Sequence, residues 1–346
     1  MISVKSTGAA IAKGALPYLC RYLGVNAAFR AARSKSLLVL TYHSVVRDQH
    51  YSGVHSDYTV SLKTFREEMT MLARSCQPVS ISDLADWWTG KADLPKHPVL
   101  VTFDDGYMNN LTNAAPVLLG LGIPALFNIC TGYIESAQAL WILEIYWRVL
   151  HWPNATIPTP GAGIDRTVDP QGRALLAGSV REACKKLPHE ECERYLDRLR
   201  EVEISDSREE KEEVFGFLDW DGVRRLKNKG FEIGSHTVEH PILTRISLDH
   251  VDHELRASKL AIEEQIGGVC RCFAYPNGSE PDISSAIAGR VQEAGYDFAF
   301  TTIGGFCSRN VNRFELGRIC IPGNLSPSAF LNRISGCYSL VKQYVG

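Results

Sequence analysis

The sequence lacks the features that would place it in several common classes. Its 346 residues carry 37 Lys and Arg against 39 Asp and Glu. Because there is no global positive charge to hold a phosphate backbone, nucleic acid is a poor candidate partner. No stretch approaches the roughly 18 apolar residues of a membrane span. No internal repeat or low-complexity segment stands out, and the composition, 45% hydrophobic and 22% charged, is that of a folded globular protein.

The 10 cysteines include no Cys-x-x-Cys pair. A chain of this length does not need disulfides to stabilise its core, and several cysteines lie in apolar stretches, where a free cysteine packs as a small hydrophobe. We therefore expect a reduced, cytoplasmic protein. We interpret Cys270 and Cys272 as strand packing rather than as a metal site.

Residues 1–36 form a predicted N-terminal helical segment. Its apolar run, residues 8–19, is interrupted by Lys13 and Pro17, so it does not fit the uninterrupted run of a secretory signal. The pattern favours a surface helix packed on the main domain. It leaves open a basic amphipathic helix on a membrane surface, and with it a peripheral membrane contact and a membrane-associated location.

Residues 37–346 form the predicted main domain. Apolar runs alternate with helical patterns, which indicates an α/β fold with a parallel sheet. The run at residues 98–103 is continuously apolar, as in a strand that is covered on both faces. The region of about residues 135–217 breaks this alternation, and we interpret it as a helical insertion between two strands. Packing is favoured over lining a sugar groove for the aromatic residues that open it: Trp141, Tyr146, Trp147 and Trp152.

Two histidines follow the apolar strand of residues 231–235. The spacing of His236 and His240 places them on one face of a helix or helical turn, close enough to share one ion. In α/β sheets, ligands collect at the carboxyl ends of the strands. Taken alone, the spacing does not separate a metal site from a pair of surface histidines.

Asp104 and Asp105 end the apolar strand of residues 98–103. A turn at Gly106 lets both carboxylates reach one pocket, where two like charges are costly unless a cation or a shared proton compensates. One carboxylate can then bind a metal while the other takes a proton from water. Taken alone, Asp-Asp-Gly also fits an ordinary turn at a strand end.

His43 ends a third apolar strand, in the sequence Leu-Thr-Tyr-His-Ser at residues 40–44. A lone histidine is more often structural than catalytic. Here, however, three strand ends carry titratable groups, and their coincidence indicates one functional site.

Together these signals resemble the polysaccharide deacetylase family, also called the NodB-homology or carbohydrate esterase family 4 domain. The family motif Thr-Phe-Asp-Asp-Gly matches residues 102–106, and His-Ser/Thr-x-x-His matches residues 236–240. Residues 273–278, Phe-Ala-Tyr-Pro-Asn-Gly, match the third motif in the form of the biofilm-exopolysaccharide branch. The resemblance covers about residues 37–322 apart from the insertion. It implies a distorted (β/α) barrel with seven or eight strands.

The resemblance also implies a role for each matched residue. Asp105, His236 and His240 would bind a divalent metal, with zinc expected and with open positions for water and substrate. Asp104 would be the general base on the attacking water. In this branch, His43 would be the general acid that protonates the leaving amine.

The remaining predicted site residues contact the oxyanion or the substrate. With the metal, the backbone N–H of Asn277 would hold the oxyanion, and Tyr275 and Arg318 are assigned to the same group. Ala274 stands where many members carry an arginine that orients the base, and Asn277 stands where an aromatic commonly follows the proline. No Leu-x-His motif occurs near the C-terminus, which fits the role of His43. Arg318 is expected to contact either the base or the sugar.

The activity that the resemblance implies is removal of N-acetyl groups from an amino sugar in a polysaccharide or glycolipid precursor. The same metal-binding residues are also compatible with an esterase or a hydrolase of cyclic amides, so these alternatives stay open. A non-catalytic glycan-binding module is disfavoured because every metal-binding and catalytic group is present. The sequence does not distinguish a polymer from a lipid-linked or nucleotide-linked sugar.

Overall fold

The computed structural model describes residues 24–51, 57–136, 138–160, 166–167, 172–204 and 208–337. Residues 1–23 lie outside these ranges, so the predicted membrane contact of the N-terminal segment stays a prediction. The next residues form helix α1 (Val25–Ala32), which is tied to the main domain by a 2.6 Å hydrogen bond from Asn26 to Asn332. No helix in the described ranges is long and apolar enough to cross a membrane.

The described strands and helices alternate along most of the chain. The strands are β1 (Leu37–Tyr42), β2 (Ser44–Val46), β3 (Thr59–Ser61), β4 (Gln77–Pro78), β5 (Pro98–Phe103), β6 (Ala125–Ile129), β7 (Thr156–Ile157), β8 (Arg166–Thr167), β9 (Glu232–Ser235), β10 (Cys272–Ala274), β11 (Phe298–Phe300), β12 (Phe306–Cys307) and β13 (Ile319–Cys320). The α-helices that follow α1 are α2 (Leu62–Ser75), α3 (Ile81–Trp88), α4 (Ala115–Leu121), α5 (Trp141–Leu150), α6 (Arg173–Cys184), α7 (His189–Arg200), α8 (Arg208–Phe215), α9 (Trp220–Asn228), α10 (Leu248–Ile266), α11 (Ser285–Glu293) and α12 (Pro327–Ser335). A π-helical segment, Asn110–Ala114, precedes α4.

The main sheet is curled and mostly parallel. Its strand order is β11-β10-β9-β6-β5-β1-β12, with β12 antiparallel to β1. The central strands β1 and β5 are buried along their whole length, as expected where helices cover both faces. One segment connects the two edges of the sheet, because Leu316 bridges to Phe300 of β11 and β13 pairs with β1. The predicted distorted (β/α) barrel is confirmed.

The region between β6 and α9 is mainly helical and contains α5 to α8, with the short β7–β8 hairpin. The four aromatic residues that open it are buried and belong to an apolar core, distinct from that of the barrel, which they share with α6 and α7. Glu144 crosslinks two helices here, with its carboxylate 2.8 Å from both Arg148 and Arg200. The exact bounds of the insertion stay a prediction.

The cysteines in the described ranges are free thiols, and most of them are buried. Cys272 lies in β10 and Cys270 is fully buried beside it. These two side chains contribute to the barrel core, in keeping with their interpretation as packing residues.

Candidate active site

Side chains from four strand ends meet in one cavity of about 350 Å³. Asp104 and Asp105 follow β5, His43 follows β1, His236 follows β9 and Tyr275 follows β10, because the carboxyl ends of parallel strands lie at the same edge of a sheet. Every predicted site residue lines this cavity except Arg318. The other lining residues are Asp57, Tyr58, Ile142, Leu143, Thr302, Cys320, Pro322 and Arg333.

The Asp104 carboxylate is surrounded by hydrogen-bond donors. The Arg318 Nη1 and Nη2 atoms lie 2.7 Å from Oδ1 and Oδ2, and Nδ2 of Asn128 donates to Oδ1 at 2.8 Å. Burial alone would raise the pKa of Asp104, but the charge of Arg318, with a smaller effect of His236, holds that pKa well below its usual range. Asp104 is therefore ionised at neutral pH and able to accept a proton.

Arg318 is fully buried behind Asp104. Besides the bidentate contact, its Nε donates to the Thr301 carbonyl at 3.1 Å, and Nη1 lies 3.2 Å from the hydroxyl oxygens of Thr41 and Thr102. Of the two contacts that the sequence leaves open for this arginine, the structure shows the one to Asp104, the predicted base. Arg318 thus supplies the guanidinium that is absent at Ala274.

The Asn128 side chain depends on a glycine in the neighbouring strand. Asn128 of β6 is in register with Gly234 of β9. A Cβ atom at Gly234 would collide with the amide oxygen of Asn128. The absence of a side chain at Gly234 therefore leaves the space in which Asn128 reaches Asp104.

Asp105, His236 and His240 converge beside Asp104. The Nε2 atoms of His236 and His240 lie 3.5 Å and 3.7 Å from the same oxygen, Oδ1 of Asp105. Ligands that are 2.0–2.2 Å from a tetrahedral zinc ion lie about 3.3–3.6 Å apart, so this spacing fits one divalent cation. Nδ1 of His236 is 2.7 Å from the Ala274 carbonyl oxygen. That bond requires the proton on Nδ1 and leaves the Nε2 lone pair for a metal.

The charges around these three residues are unbalanced. Burial and the neighbouring Asp104 raise the pKa of Asp105 to about 8. Burial lowers the pKa of His236, and burial together with His236 lowers the pKa of His240 well below its usual value. A cation at this point would reverse the effect on Asp105, since it favours the ionised carboxylate. The donor set therefore fits a divalent metal.

Cys130 is a competing ligand by position. Its Sγ and the ligand atoms of Asp105 and His236 all lie within 4.8 Å of one another. However, the thiol donates to the His236 carbonyl at 3.2 Å, and burial raises its pKa well above the usual range. The Cys130 thiol is engaged with the backbone, whereas Nε2 of His240 lies 3.7 Å from Oδ1 of Asp105 and binds a metal without losing a proton. The geometry therefore favours His240 as the third ligand.

The segment that carries the two histidines is a loop, and the expectation that they share one face of a helix or helical turn is wrong. Thr237 and His240 have φ angles of 72° and 58°, which a right-handed helix does not accommodate. The ring centroids of His236 and His240 are nevertheless 4.8 Å apart. Oγ1 of Thr237 accepts the His240 N–H at 2.9 Å, and this local turn brings the two rings together.

Two residues outside the motif hold this loop in place. Oε2 of Glu254, a buried residue of α10, accepts the backbone N–H groups of Val238 at 2.8 Å and Glu239 at 3.0 Å. Trp141 of α5 donates its indole N–H to the His240 carbonyl at 3.0 Å. The helical region is thereby linked directly to the loop that carries His236 and His240.

Asn277 and Tyr275 form another part of the cavity wall. Asn277 has a φ of 60°, and its carbonyl accepts a hydrogen bond from Thr302 at 2.7 Å. Among the described residues no acceptor is bonded to the Asn277 backbone N–H, which leaves it free to bind an oxyanion. The Tyr275 hydroxyl donates to the Phe314 carbonyl at 2.8 Å, so this residue presents its ring rather than a free hydroxyl.

His43 is half-buried in the cavity wall. Its ring contacts Tyr58 edge-on at 5.4 Å, and its carbonyl accepts from Asn110 of the π-helical segment at 2.7 Å. Burial lowers the pKa of His43 to about 4, although the charge of Asp104 acts in the opposite direction. His43 is therefore neutral at neutral pH.

Comparisons with known proteins identify the family. The family model described as polysaccharide deacetylase matches residues 91–299. The chain belongs to the polysaccharide deacetylase family. Among curated relatives of this family member, the poly-beta-1,6-N-acetyl-D-glucosamine N-deacetylase of Escherichia coli strain K12 is 27% identical over 103 residues. The match covers 29% of this chain but only 14% of that enzyme.

Solved structures show the same fold as this polysaccharide deacetylase family member. The Streptococcus pyogenes deacetylase PplD, solved in complex with acetate, superposes with a TM-score of 0.57 at 18% identity and covers 87% of this chain and 99% of its own. IcaB from Ammonifex degensii gives a TM-score of 0.54 at 17% identity, covering 87% and 96%.

Two supporting residues of the site were not predicted, although each has a sequence signal. Asn128 is a polar residue inside the otherwise apolar strand β6. Glu254 lies on the buried stripe of α10 together with Val251 and Leu255. A polar side chain at a buried position is expected to have a specific partner, and here the partners are Asp104 and the histidine loop.

Proposed function

We propose that this chain is a divalent-metal-dependent N-deacetylase acting on an amino sugar of a polysaccharide or glycolipid precursor. The supporting observation is the contrast between two adjacent carboxylates in one cavity. Asp104 is held ionised by Arg318, whereas Asp105 lies beside two imidazoles with spacing that fits a metal. This combination provides a proton acceptor next to a Lewis-acid site.

A divalent cation held by Asp105, His236 and His240 would polarise the acetamide carbonyl and lower the pKa of a water molecule. Asp104 takes a proton from the attacking water, since its carboxylate is ionised and faces the same cavity. Arg318 keeps the two carboxylate oxygens of Asp104 fixed, so the base is positioned before the substrate binds.

The other cavity residues act on the developing oxyanion and on the leaving amine. The backbone N–H of Asn277 donates to the oxyanion. His43 protonates the amine nitrogen of the sugar. Because its pKa is about 4, His43 begins the reaction neutral. The proton that Asp104 takes from water passes to this imidazole, which then gives it to the amine nitrogen, so that both residues return to their starting protonation states.

Two observations support an N-acetylated glycan as the substrate. The E. coli relative is named for poly-beta-1,6-N-acetyl-D-glucosamine. The cavity combines polar site residues with the rings of Tyr58 and Tyr275 and the apolar side chains of Ile142 and Leu143, as expected for a sugar that stacks on apolar surface while polar groups fix its orientation.

The test is acetate release by zinc-loaded protein from N-acetylglucosamine oligomers, with an O-acetyl ester as the competing substrate. We expect release of acetate from the oligomers. The His236→Ala/His240→Ala variant should lose this activity, and it should also lose one equivalent of bound zinc. His253→Ala, an exposed histidine of α10, is the matched control and should keep both.

Each alternative outcome points to another function. Release from the ester alone would favour an esterase on the same metal residues. Zinc binding without release from either substrate, combined with oligomer binding, would favour a glycan-binding module. Retention of acetate release in the double variant would overturn the proposed metal ligands.

A further inference from the structure

A second cluster of metal-ligating side chains lies outside the catalytic cavity. It consists of Glu239, which follows Val238 in the histidine loop, and of His250 and Glu254 on α10. One ligand atom from each of the three lies within 4.8 Å of the other two. None of the three lines the cavity, so the cluster is distinct from the Asp105 site.

Glu254 has one oxygen that the described residues do not satisfy. Its side chain is fully buried, and Oε2 is used by the backbone N–H groups of Val238 and Glu239. Oε1 is also buried but has no hydrogen-bond partner. It points toward His250, whose Nε2 lies 3.4 Å away.

The charge on Glu254 is also uncompensated. Among the described residues its ion-pair contact is with His250, which carries a charge only when protonated. Buried carboxylates are normally paired with a cation or bound to a metal. The Glu254 carboxylate has one free oxygen, which faces an imidazole and a second carboxylate. The cluster of these three side chains therefore lacks a positive charge at its centre.

The donor atoms indicate which cation would bind. Imidazole nitrogen with carboxylate oxygen suits zinc and related transition metals, whereas calcium and magnesium prefer sites made of oxygen alone. Glu239 is exposed and His250 is partly exposed, so a cation can reach the buried oxygen from solvent. His189 of α7 lies near the same group: burial lowers its pKa, Glu239 and Glu254 act to raise it, and His250 acts to lower it.

We propose that Glu239, His250 and Glu254 form a second site for a divalent transition-metal cation such as Zn²⁺, which fixes the loop that carries His240. The link is direct, because Glu254 binds the cation through Oε1 and the loop backbone through Oε2. The proposal does not rest on the deacetylase activity.

The test is a count of zinc bound to metal-free protein after equilibrium dialysis. Wild type is expected to bind two equivalents, and the His236→Ala/His240→Ala variant one. His250→Ala should also bind one, and the triple variant none. His253→Ala, which removes a neighbouring histidine of the same helix without touching the cluster, should still bind two.

Glu239→Gln provides a second variant that should keep the fold, since the side chain is exposed. Combined with His236→Ala/His240→Ala, it should weaken zinc binding by about 10-fold or more. If wild type binds one equivalent and the double variant none, Glu254 and His250 form an ion pair alone and the inference is overturned. It is equally overturned if zinc in the double variant is insensitive to both His250→Ala and Glu239→Gln. If the proposed ligands of the catalytic site are wrong, the His236→Ala/His240→Ala variant would instead bind as much zinc as wild type.

Discussion

Asp104 and Asp105 are neighbours in sequence, yet the two sides of the cavity that they define differ in how their charge is balanced. On the base side, Arg318, Asn128 and Thr41 surround the Asp104 carboxylate. On the metal side, Asp105 lies beside two histidines whose pKa values are lowered, and its own pKa is raised to about 8. Within the described part of the chain, a cation lies beside one carboxylate and none lies beside the other.

The difference separates two chemical tasks that equivalent carboxylates could not perform. A proton acceptor must stay ionised throughout, which a permanent guanidinium ensures because arginine is always charged. A metal ligand requires its charge to be neutralised by the ion itself. Two adjacent aspartates can therefore act differently because their environments, rather than their side chains, are different.

Asp104→Asn, which removes the proposed proton acceptor, should have the largest effect on activity. The amide keeps the shape of the carboxylate but cannot take the proton, so we expect acetate release to fall on the order of 10⁴-fold, the upper range for a general base. Zinc content should be unchanged, because Asp105 and the histidines are untouched. The measurement is acetate release per folded molecule, together with elemental analysis.

This variant leaves Arg318 without its ionised partner, so the free energy of unfolding must be measured in parallel. Turnover at the wild-type level in folded, zinc-loaded Asp104→Asn would show that another group is the base. Loss of zinc in the same variant would show that the two sides are not separate.

Arg318→Met tests whether the Arg318 guanidinium balances the buried charge of Asp104. The methionine fills part of the space but leaves a buried carboxylate without a cation, and we expect the free energy of unfolding at pH 7 to fall by about 3–5 kcal/mol. Urea unfolding measures it. The matched control is Arg271→Met, whose partner Asp297 forms an exposed ion pair at 2.6 Å. Exposed pairs contribute roughly 0–1 kcal/mol.

The pH dependence of that difference has a definite sign. In wild type the pKa of Asp104 is depressed, so its stabilisation is present above the unfolded value, about 4, and is lost as pH falls below it. In Arg318→Met, burial raises the pKa instead, and the variant loses stability as pH rises through the new value. The gap between the two proteins should therefore narrow as pH falls from 7 toward 4. A gap that is constant over this range would contradict the assigned role of Arg318.

The parts of the molecule that were predictable are those in which local pattern determines structure. The continuous apolar run predicts strand β5 at residues 98–103, and a long helical pattern ended by Gly267 and Gly268 predicts helix α10 at residues 248–266. Both have these bounds in the structure, Pro98–Phe103 and Leu248–Ile266. The strand is a continuous apolar run between turn residues, and the helix is bounded by a Ser247 N-cap and a left-handed Gly267. Helix α3 was not predicted, although a capping box formed by Ser80 and Asp83 marks its start.

The site was less predictable, because its contacts join residues that are distant in the chain. The resemblance to the family gave the candidate residues, but the bidentate contact of Arg318 with Asp104 joins positions with no local pattern in common. The helix expected for His236 and His240 was inferred from their spacing. The left-handed conformations of Thr237 and His240, which produce the loop instead, depend on contacts from Glu254 and Trp141.

Trp141→Phe tests whether the helical region contributes to zinc binding by the loop that carries His240. Of these variants it should have the smallest effect. Phenylalanine keeps most of the buried ring but removes the hydrogen bond to the His240 carbonyl. We expect a loss of about 0.5–1.5 kcal/mol in the free energy of unfolding and a several-fold weaker zinc affinity at the catalytic site.

Trp152→Phe is the matched control, because it removes a similar hydrogen bond, 2.9 Å from Nε1 to the Thr156 carbonyl, away from the histidine loop. Equal destabilisation is expected in both variants, but weaker zinc binding only in Trp141→Phe. Unchanged zinc affinity there would mean that Trp141 contributes packing alone, and that the metal side is organised within the barrel.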